Sequence, residues 1–318
     1  MKNAESRRFL LQNGEYMLYY KPCYFNVNDL ESGNMKKAIF LVQCPDQKGI
    51  LAAITSFFAS RKFNILHCQQ YTDVRENQYF TRIVLDITAM PFTKQQLEEE
   101  FKTFADTLDA RWSVRYSDTK QRMAILVSKT SHCLYDLLVH LQDGDINCEV
   151  PLIISNHPDL EEVAAKFRVP FFCCPILNGD KKAQEKEILA LLKKHDLDLV
   201  VLARYMQVLS DNFIQQFPEK IINIHHAFLP AFQGGNPYVR AWERGVKMIG
   251  ATAHYATADL DEGPIIEQDV ERITHEADPD DLKRIGKDIE RRVLTRAVRA
   301  WMDFRIITSG RRTIVFSA

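Results

Sequence analysis

From residue 37 the chain alternates short apolar runs with stretches of helical period. Ala38-Ile-Phe-Leu-Val-Gln-Cys44 is an apolar run stopped by Pro45, which predicts a strand. Asp46-Gln-Lys-Gly49 then opens an amphipathic helix, because Ile50, Leu51, Ile54, Phe57 and Phe58 recur at helical spacing. Residues 64–71 and 79–86 are β-rich runs around a turn at 75–78. Thr93 is placed to cap a second helix, with Leu97, Phe101, Phe104 and Leu108 on one face. Residues 111–116 close the block as a strand. Residues 37–118 therefore predict the order βαββαβ, a ferredoxin-like arrangement. Residues 1–36 show no clear periodicity and read as an N-terminal extension.

Residues 119–318 form a second block, entered through the polar linker Asp118-Thr-Lys-Gln-Arg122. Strand-like runs at 123–128, 150–155, 171–174, 197–203 and 220–225 alternate with helical stretches near 133–142, 160–167, 182–194 and 211–217. That alternation predicts a doubly wound, mostly parallel sheet. Unbroken runs such as Leu199-Val-Val-Leu202 point to strands buried on both faces. A long helix over 279–304 ends the pattern. In such sheets ligands sit at the carboxyl ends of the strands, so the polar residues that follow each run are the informative ones.

At 318 residues the chain has room for about two domains. The formal net charge is −1, which argues against a polyanion binder working by bulk charge, so no nucleic-acid partner is expected. No run approaches the roughly 18 apolar residues of a membrane span, and residues 1–11 are too polar for a secretory signal. The seven cysteines are scattered without zinc spacing, which fits a reduced, cytoplasmic compartment. Cys173-Cys174 lies in an apolar run and reads as small core residues.

Three strand ends carry candidate chemistry. In Ile221-Ile-Asn223-Ile-His225 an amide and an imidazole stand two residues apart, hence on one side of a strand. Such a pair can grip a carbonyl oxygen as it becomes an oxyanion. Gly250-Ala-Thr-Ala-His254-Tyr255 leads into Asp259-Leu-Asp261-Glu-Gly263-Pro264, a loop from which Asp261 can reach a histidine. Leu202-Ala-Arg-Tyr-Met206-Gln207-Val208-Leu209 leaves a buried strand as a mixed apolar and polar lip. Singly these residues have plainer readings: a turn-forming asparagine, a hydrogen-bonded core histidine, an aspartate shaping a turn. Taken together they form one set of candidates for the chemistry. Strand alternation points His226 away from His225, as a structural residue, and His254 reads as an orienter of Asp261. Trp242 and Trp301 read as core anchors. No His, Cys and carboxylate set has ligand spacing, so no metal is expected.

Asp46-Gln-Lys-Gly49-Ile-Leu, followed by Asn64-Ile, resembles an ACT domain, a small regulatory module that binds amino acids. The resemblance makes Asp46, Gly49 and Asn64 the candidate effector residues. Gly49 either leaves N–H groups free for a small carboxylate or merely permits a tight turn. Pairing through such modules would give a homo-oligomer. Asn223-Ile-His225-x-x-x-Leu229-Pro230, then Gly234, His254 and Leu260-Asp261-x-Gly263-Pro264, resembles the folate-dependent formyltransferase family. That resemblance implies a catalytic trio of Asn223, His225 and Asp261. It also implies a pterin pocket of Met206, Gln207, Val208, Leu209, Ala258, Asp259 and Leu260, with Gly234 nearby. Both blocks together resemble the branch of that family that hydrolyses 10-formyltetrahydrofolate to tetrahydrofolate and formate, with the folate as substrate and no cofactor. The alternatives are formyl transfer to an amine such as glycinamide ribonucleotide, or an amino-acid sensor with an inactive second block. The loop Ser128-Lys-Thr-Ser-His-Cys133 has no glycine to cradle an acceptor phosphate, so water is the expected acceptor.

Overall fold

The phenylalanines of the first block pack as their spacing dictates. In the computed structural model, which describes residues 35–231 and 237–318, the elements run β1 (Lys37–Pro45), α1 (Ile50–Ser60), β2 (Asn64–Asp73), β3 (Gln78–Asp86), α2 (Lys94–Asp106) and β4 (Arg111–Tyr116). The strands form an antiparallel sheet in the order β2-β3-β1-β4. Phe40 of β1 meets Phe58 of α1 and Phe101 of α2 at ring separations of 5.1 and 4.7 Å. Such aromatic pairs add to the burial free energy that holds both helices on one sheet face. Thr93 caps α2 reciprocally: its side chain accepts from the N–H of Gln96, whose side chain accepts from the N–H of Thr93.

The second block continues with β5 (Gln121–Val127), α3 (His132–Gln142), β6 (Cys148–Ser155), α4 (Glu161–Lys166), β7 (Phe171–Cys173), α5 (Lys181–Lys194) and β8 (Leu199–Leu202). It ends with α6 (Asp211–Gln215), β9 (Ile221–His225), α7 (Pro237–Arg244), β10 (Met248–Tyr255), β11 (Ile265–Arg272), α8 (Pro279–Met302), β12 (Ile306–Ser309) and β13 (Arg312–Val315). The order β11-β10-β9-β8-β5-β6-β7 is parallel from β9 to β7, with β10 and β11 antiparallel at one edge. From β5 the chain runs outward through β6 and β7, then returns to lay β8 and β9 on the other side. This reversal opens a crevice above the carboxyl ends of β5 and β8, where open α/β sheets bind ligands. All four residues of β8 are buried. One face is covered by α3 and α8, the other by α5 and α6.

Several elements escape the sequence pattern. β11 is a half-exposed edge strand carrying Glu267, Asp269 and Glu271, so it lacks an apolar run. α7 has eight residues and β12 and β13 four each, too short for a periodic signal. Trp301 is buried as a core anchor, but Trp242 is 50% exposed. Cys174, just beyond β7, is buried as a small core residue, but Cys173, the last residue of the strand, is exposed and is not one.

Residues 36–318 form one compact unit. The second face of the first sheet meets the end of α8 and the hairpin beyond it. Leu41, Phe80 and Phe316 are buried together. Arg82 donates to the carbonyls of Asp303 and Phe304, and Arg115 to that of Trp301 at 2.7 Å. The Arg115 guanidinium lies 3.7 Å over the Trp301 ring, and burial pushes its pKa down to about 10. Among the described residues no helix is long and apolar enough to cross a membrane.

Candidate active site

Asn223 and His225 alternate along β9 and face one space beyond its carboxyl end. The antiparallel register of β9 and β10 sets His254 opposite Asn223, and Asn223 Nδ2 lies 3.2 Å from His254 Nε2. His254 Nδ1 lies 2.9 Å from the Tyr255 carbonyl. A carbonyl only accepts, so Nδ1 carries the hydrogen and, in the neutral ring, Nε2 accepts from the Asn223 amide. That contact fixes which end of the asparagine is the donor and leaves its second amide hydrogen available.

Asp261 reaches this pair because its loop is forced back toward β10. Gly263 lies against the Tyr255 carbonyl so closely that a Cβ there would sit 1.7 Å from the oxygen. The N–H of Tyr255 donates to the Pro264 carbonyl at 2.9 Å. Asp261 itself takes a left-handed φ of 60°. Its Oδ1 lies 3.2 Å from His225 Nδ1 and 3.7 Å from His254 Nε2, and the Asp261 and His225 side chains are each 6% exposed. Burial pushes the Asp261 carboxyl up, but the hydrogen bond and charge of the facing His225 lead the opposing effects, and the group is held well below the usual carboxylate range. His225 Nε2 is buried with no partner among the described residues.

These groups stand in a cavity of about 250 Å³, small beside typical ligand pockets. Met206, Gln207, Val208, Leu209 and Leu260 line it. Met206, Val208 and Leu260 are more than half exposed and form an apolar mouth. Ala258 and Asp259 do not line the cavity; they are exposed on the outer side of the turn that aims Asp261 inward. Gly234 lies outside the described residues.

His226 departs from its expected direction. β9 ends at His225, so alternation does not carry past it, and the two rings lie 5.1 Å apart. Burial, then the charge of Arg204, pushes the His226 pKa down to about 3. An unfolded histidine takes up its proton near pH 6.5, so over the interval down to about 3 the unfolded chain binds more protons. Stability from this residue is therefore present above about pH 6.5 and lost as pH falls, at up to about 1.4 kcal/mol per pH unit. His226→Gln should flatten that acid loss in denaturant titrations at pH 7 and 5; parallel losses in both proteins would refute the assignment.

Other contributors escape sequence reasoning because partner and residue lie far apart in the chain. Ser128 Oγ accepts the Met206 N–H at 3.0 Å and donates to Asn156 at 2.6 Å, anchoring the lip. Thr252 Oγ1 ties down the turn after β9 through Ala227 and Leu229. Arg204 lines the cavity, and its Nε lies 3.4 Å from the buried Glu290. Glu290 also accepts from Tyr238 at 2.6 Å and pairs with His132 Nε2 at 2.7 Å. The Nδ1 of a second ring, His140, lies 2.8 Å from Asp145 on the outer surface.

Among the described residues, His132, Cys133 and Glu290 have ligand atoms within 4.8 Å of one another. The chemistry does not suit a metal. Arg204 and His132 already engage Glu290, and burial pushes the Cys133 thiol well above its ordinary pKa.

At the effector candidates, Gly49 takes a φ of 90° at the start of α1, where no side chain caps the helix. The tight-turn reading thus has a direct backbone cause. Gly49 and Asn64 are exposed and Asp46 is half-buried.

A family model described as formyl transferase matches residues 121–298, and one described as ACT domain matches residues 38–102. A formyltetrahydrofolate deformylase from Synechocystis is 51% identical over 88% of this chain and 98% of its own. One from Bacillus subtilis is 45% identical over 92% and 97%. A crystal structure of a formyltetrahydrofolate deformylase from Pseudomonas syringae superposes with a TM-score of 0.88 at 36% identity, covering 91% of this chain and 97% of that one. With regulatory and catalytic blocks both matched, in the same order and over nearly the full length of these relatives, the chain belongs to the formyltetrahydrofolate deformylase family.

Proposed function

We propose that this chain hydrolyses 10-formyltetrahydrofolate to tetrahydrofolate and formate, with Asn223, His225 and Asp261 carrying the chemistry. The observation behind this reading is the convergence of an amide, an imidazole and a buried carboxylate at the floor of one apolar-mouthed cavity. The pterin head enters past Met206, Val208 and Leu260 and presents its N-formyl group to the trio. Water attacks the formyl carbon. The free amide hydrogen of Asn223 and Nε2–H of protonated His225 donate to the developing oxyanion. Asp261 stabilises the imidazolium and orients the water, taking its proton as the C–O bond forms. The C–N bond then breaks with its electron pair passing to N10, which takes the proton held by Asp261; the formic acid so formed ionises and leaves as formate.

Supplied with 10-formyltetrahydrofolate and no acceptor, the purified protein should release formate and tetrahydrofolate in equal amounts. Turnover only after a ribonucleotide amine is added would make it a transferase. Amino-acid binding without turnover would make it a sensor. An amino-acid effector would act at the ACT module around Asp46, Gly49 and Asn64, and its edge strands β2 and β4 suit a homo-oligomer.

A further inference from the structure

Arg204 is the one Lys or Arg among the described residues that line the cavity. It follows β8 at the crevice, and its φ of 64° is left-handed, an uncommon conformation for a long side chain. Asp261 is the other non-glycine residue of the cavity in that region, so both of its formally charged linings sit on strained backbone. The constraint on Arg204 comes from behind. Glu290, 1% exposed on α8, takes the Tyr238 hydroxyl on Oε1, and on Oε2 meets His132 at 2.7 Å and Arg204 Nε at 3.4 Å. One carboxylate is thereby divided among three donors. Arg204 Nη1 is left buried with no hydrogen-bond partner among the described residues, and Nε finds no well-aligned one. A buried guanidinium N–H without an acceptor is costly, so the unmet donor points to an acceptor that binds there.

Hydrolysis supplies an acceptor of the right kind. The formyl group enters neutral and leaves as a carboxylate, whose second oxygen comes from water. Asn223 and His225 face the first oxygen. The second is generated beside the ionised Asp261, which repels it once its proton is gone. We propose that Arg204 forms a subsite for the one-carbon carboxylate, donating from Nη1 to the water-derived oxygen of formate as it forms and departs. The inference rests on the deformylase reading above and adds to it the group that receives the anionic product. Glu290, His132 and Tyr238 act as positioning residues that aim the guanidinium and touch no substrate.

The test is titration of the full-length protein with ¹³C-formate, followed by NMR line broadening in the presence of saturating tetrahydrofolate. Arg204→Gln alone strands the Glu290 carboxylate in the interior, so the double variant Arg204→Gln/Glu290→Gln, which removes both charges, is compared with it. The wild type should bind formate, and the double variant should bind it about tenfold or more weakly, the loss of one charge-assisted hydrogen bond. Tetrahydrofolate affinity should stay within about threefold, since the apolar mouth that holds the ring is untouched. Equal formate affinity in wild type and double variant, no formate binding by the wild type, or displacement of formate by tetrahydrofolate would overturn the subsite. Acceptor-free turnover is measured on the same preparation. A wild type that releases no formate overturns the deformylase reading, whereas one that does, yet binds formate as its variant does, overturns the subsite alone.

Discussion

Asn223→Ala should lower kcat/KM for acceptor-free formate release by about a hundred- to a thousandfold, the 2.7–4 kcal/mol typical of one lost oxyanion donor. The expectation follows from where the amide hydrogens go. His254 Nε2 takes one of them, since its Nδ1–H is committed to the Tyr255 carbonyl. The other has no partner among the described residues and is held in place before substrate arrives, so no reorganisation is needed as charge develops. Alanine removes that donor and leaves the His254 nitrogen unpaired, a change of about 1–3 kcal/mol in stability. Tetrahydrofolate affinity should change little, because the ring contacts come from the apolar mouth. The check is steady-state formate release together with equilibrium binding of tetrahydrofolate. Activity within tenfold of wild type would remove Asn223 from the chemistry.

Much of this architecture is legible because burial imposes a period. Ile54, Phe58, Leu97 and Phe101 announce both helices of the first block, and each is buried in its core. The four-residue apolar run of β8 announces a strand covered on both faces. Asn223 and His225 are legible as a pair because the period of a strand is two. The same rule misleads at His226, where pairing stops one residue earlier and the ring folds back beside its neighbour. Arg204 and Glu290 are illegible for a different reason. Each alone resembles a solvated charge, and only the packing of α8 across the sheet brings their side chains to 3.4 Å. Ala258 and Asp259 show the limit of a motif: both are exposed and neither lines the cavity that the next two residues, Leu260 and Asp261, reach.

The contacts between blocks join the ACT module to α8, the helix that carries Glu290. Arg82 and Arg115 of the first sheet hold the carbonyls that end α8, and the same helix carries Glu290 at the other side of the catalytic floor. The two blocks share one compact unit, which suits coupling by packing more than by a flexible tether.

Asp261→Asn should cost more than Asn223→Ala, on the order of 10³–10⁴ in kcat/KM, near the upper range for a lost acid–base group. The substitution preserves shape but removes the charge facing His225 Nδ1 at 3.2 Å. An asparagine amide placed there can donate to Nδ1, favouring the ring form with its lone pair toward residue 261 and weakening the imidazolium that the oxyanion needs. It also cannot take a proton from water. Because its neighbours hold the Asp261 carboxyl well below the usual range, it is ionised throughout the working pH range, and its own titration should not shape the rate profile near neutrality. Its stabilising contribution is fully present above the unfolded carboxyl pKa of about 4 and lost as pH falls through the lower folded value. Wild type should therefore lose stability on acidification below about pH 4 more steeply than the variant. A rate within tenfold of wild type, with tetrahydrofolate still bound, would show that the carboxylate only shapes its loop, leaving Asn223 and His225 to act on the water unaided.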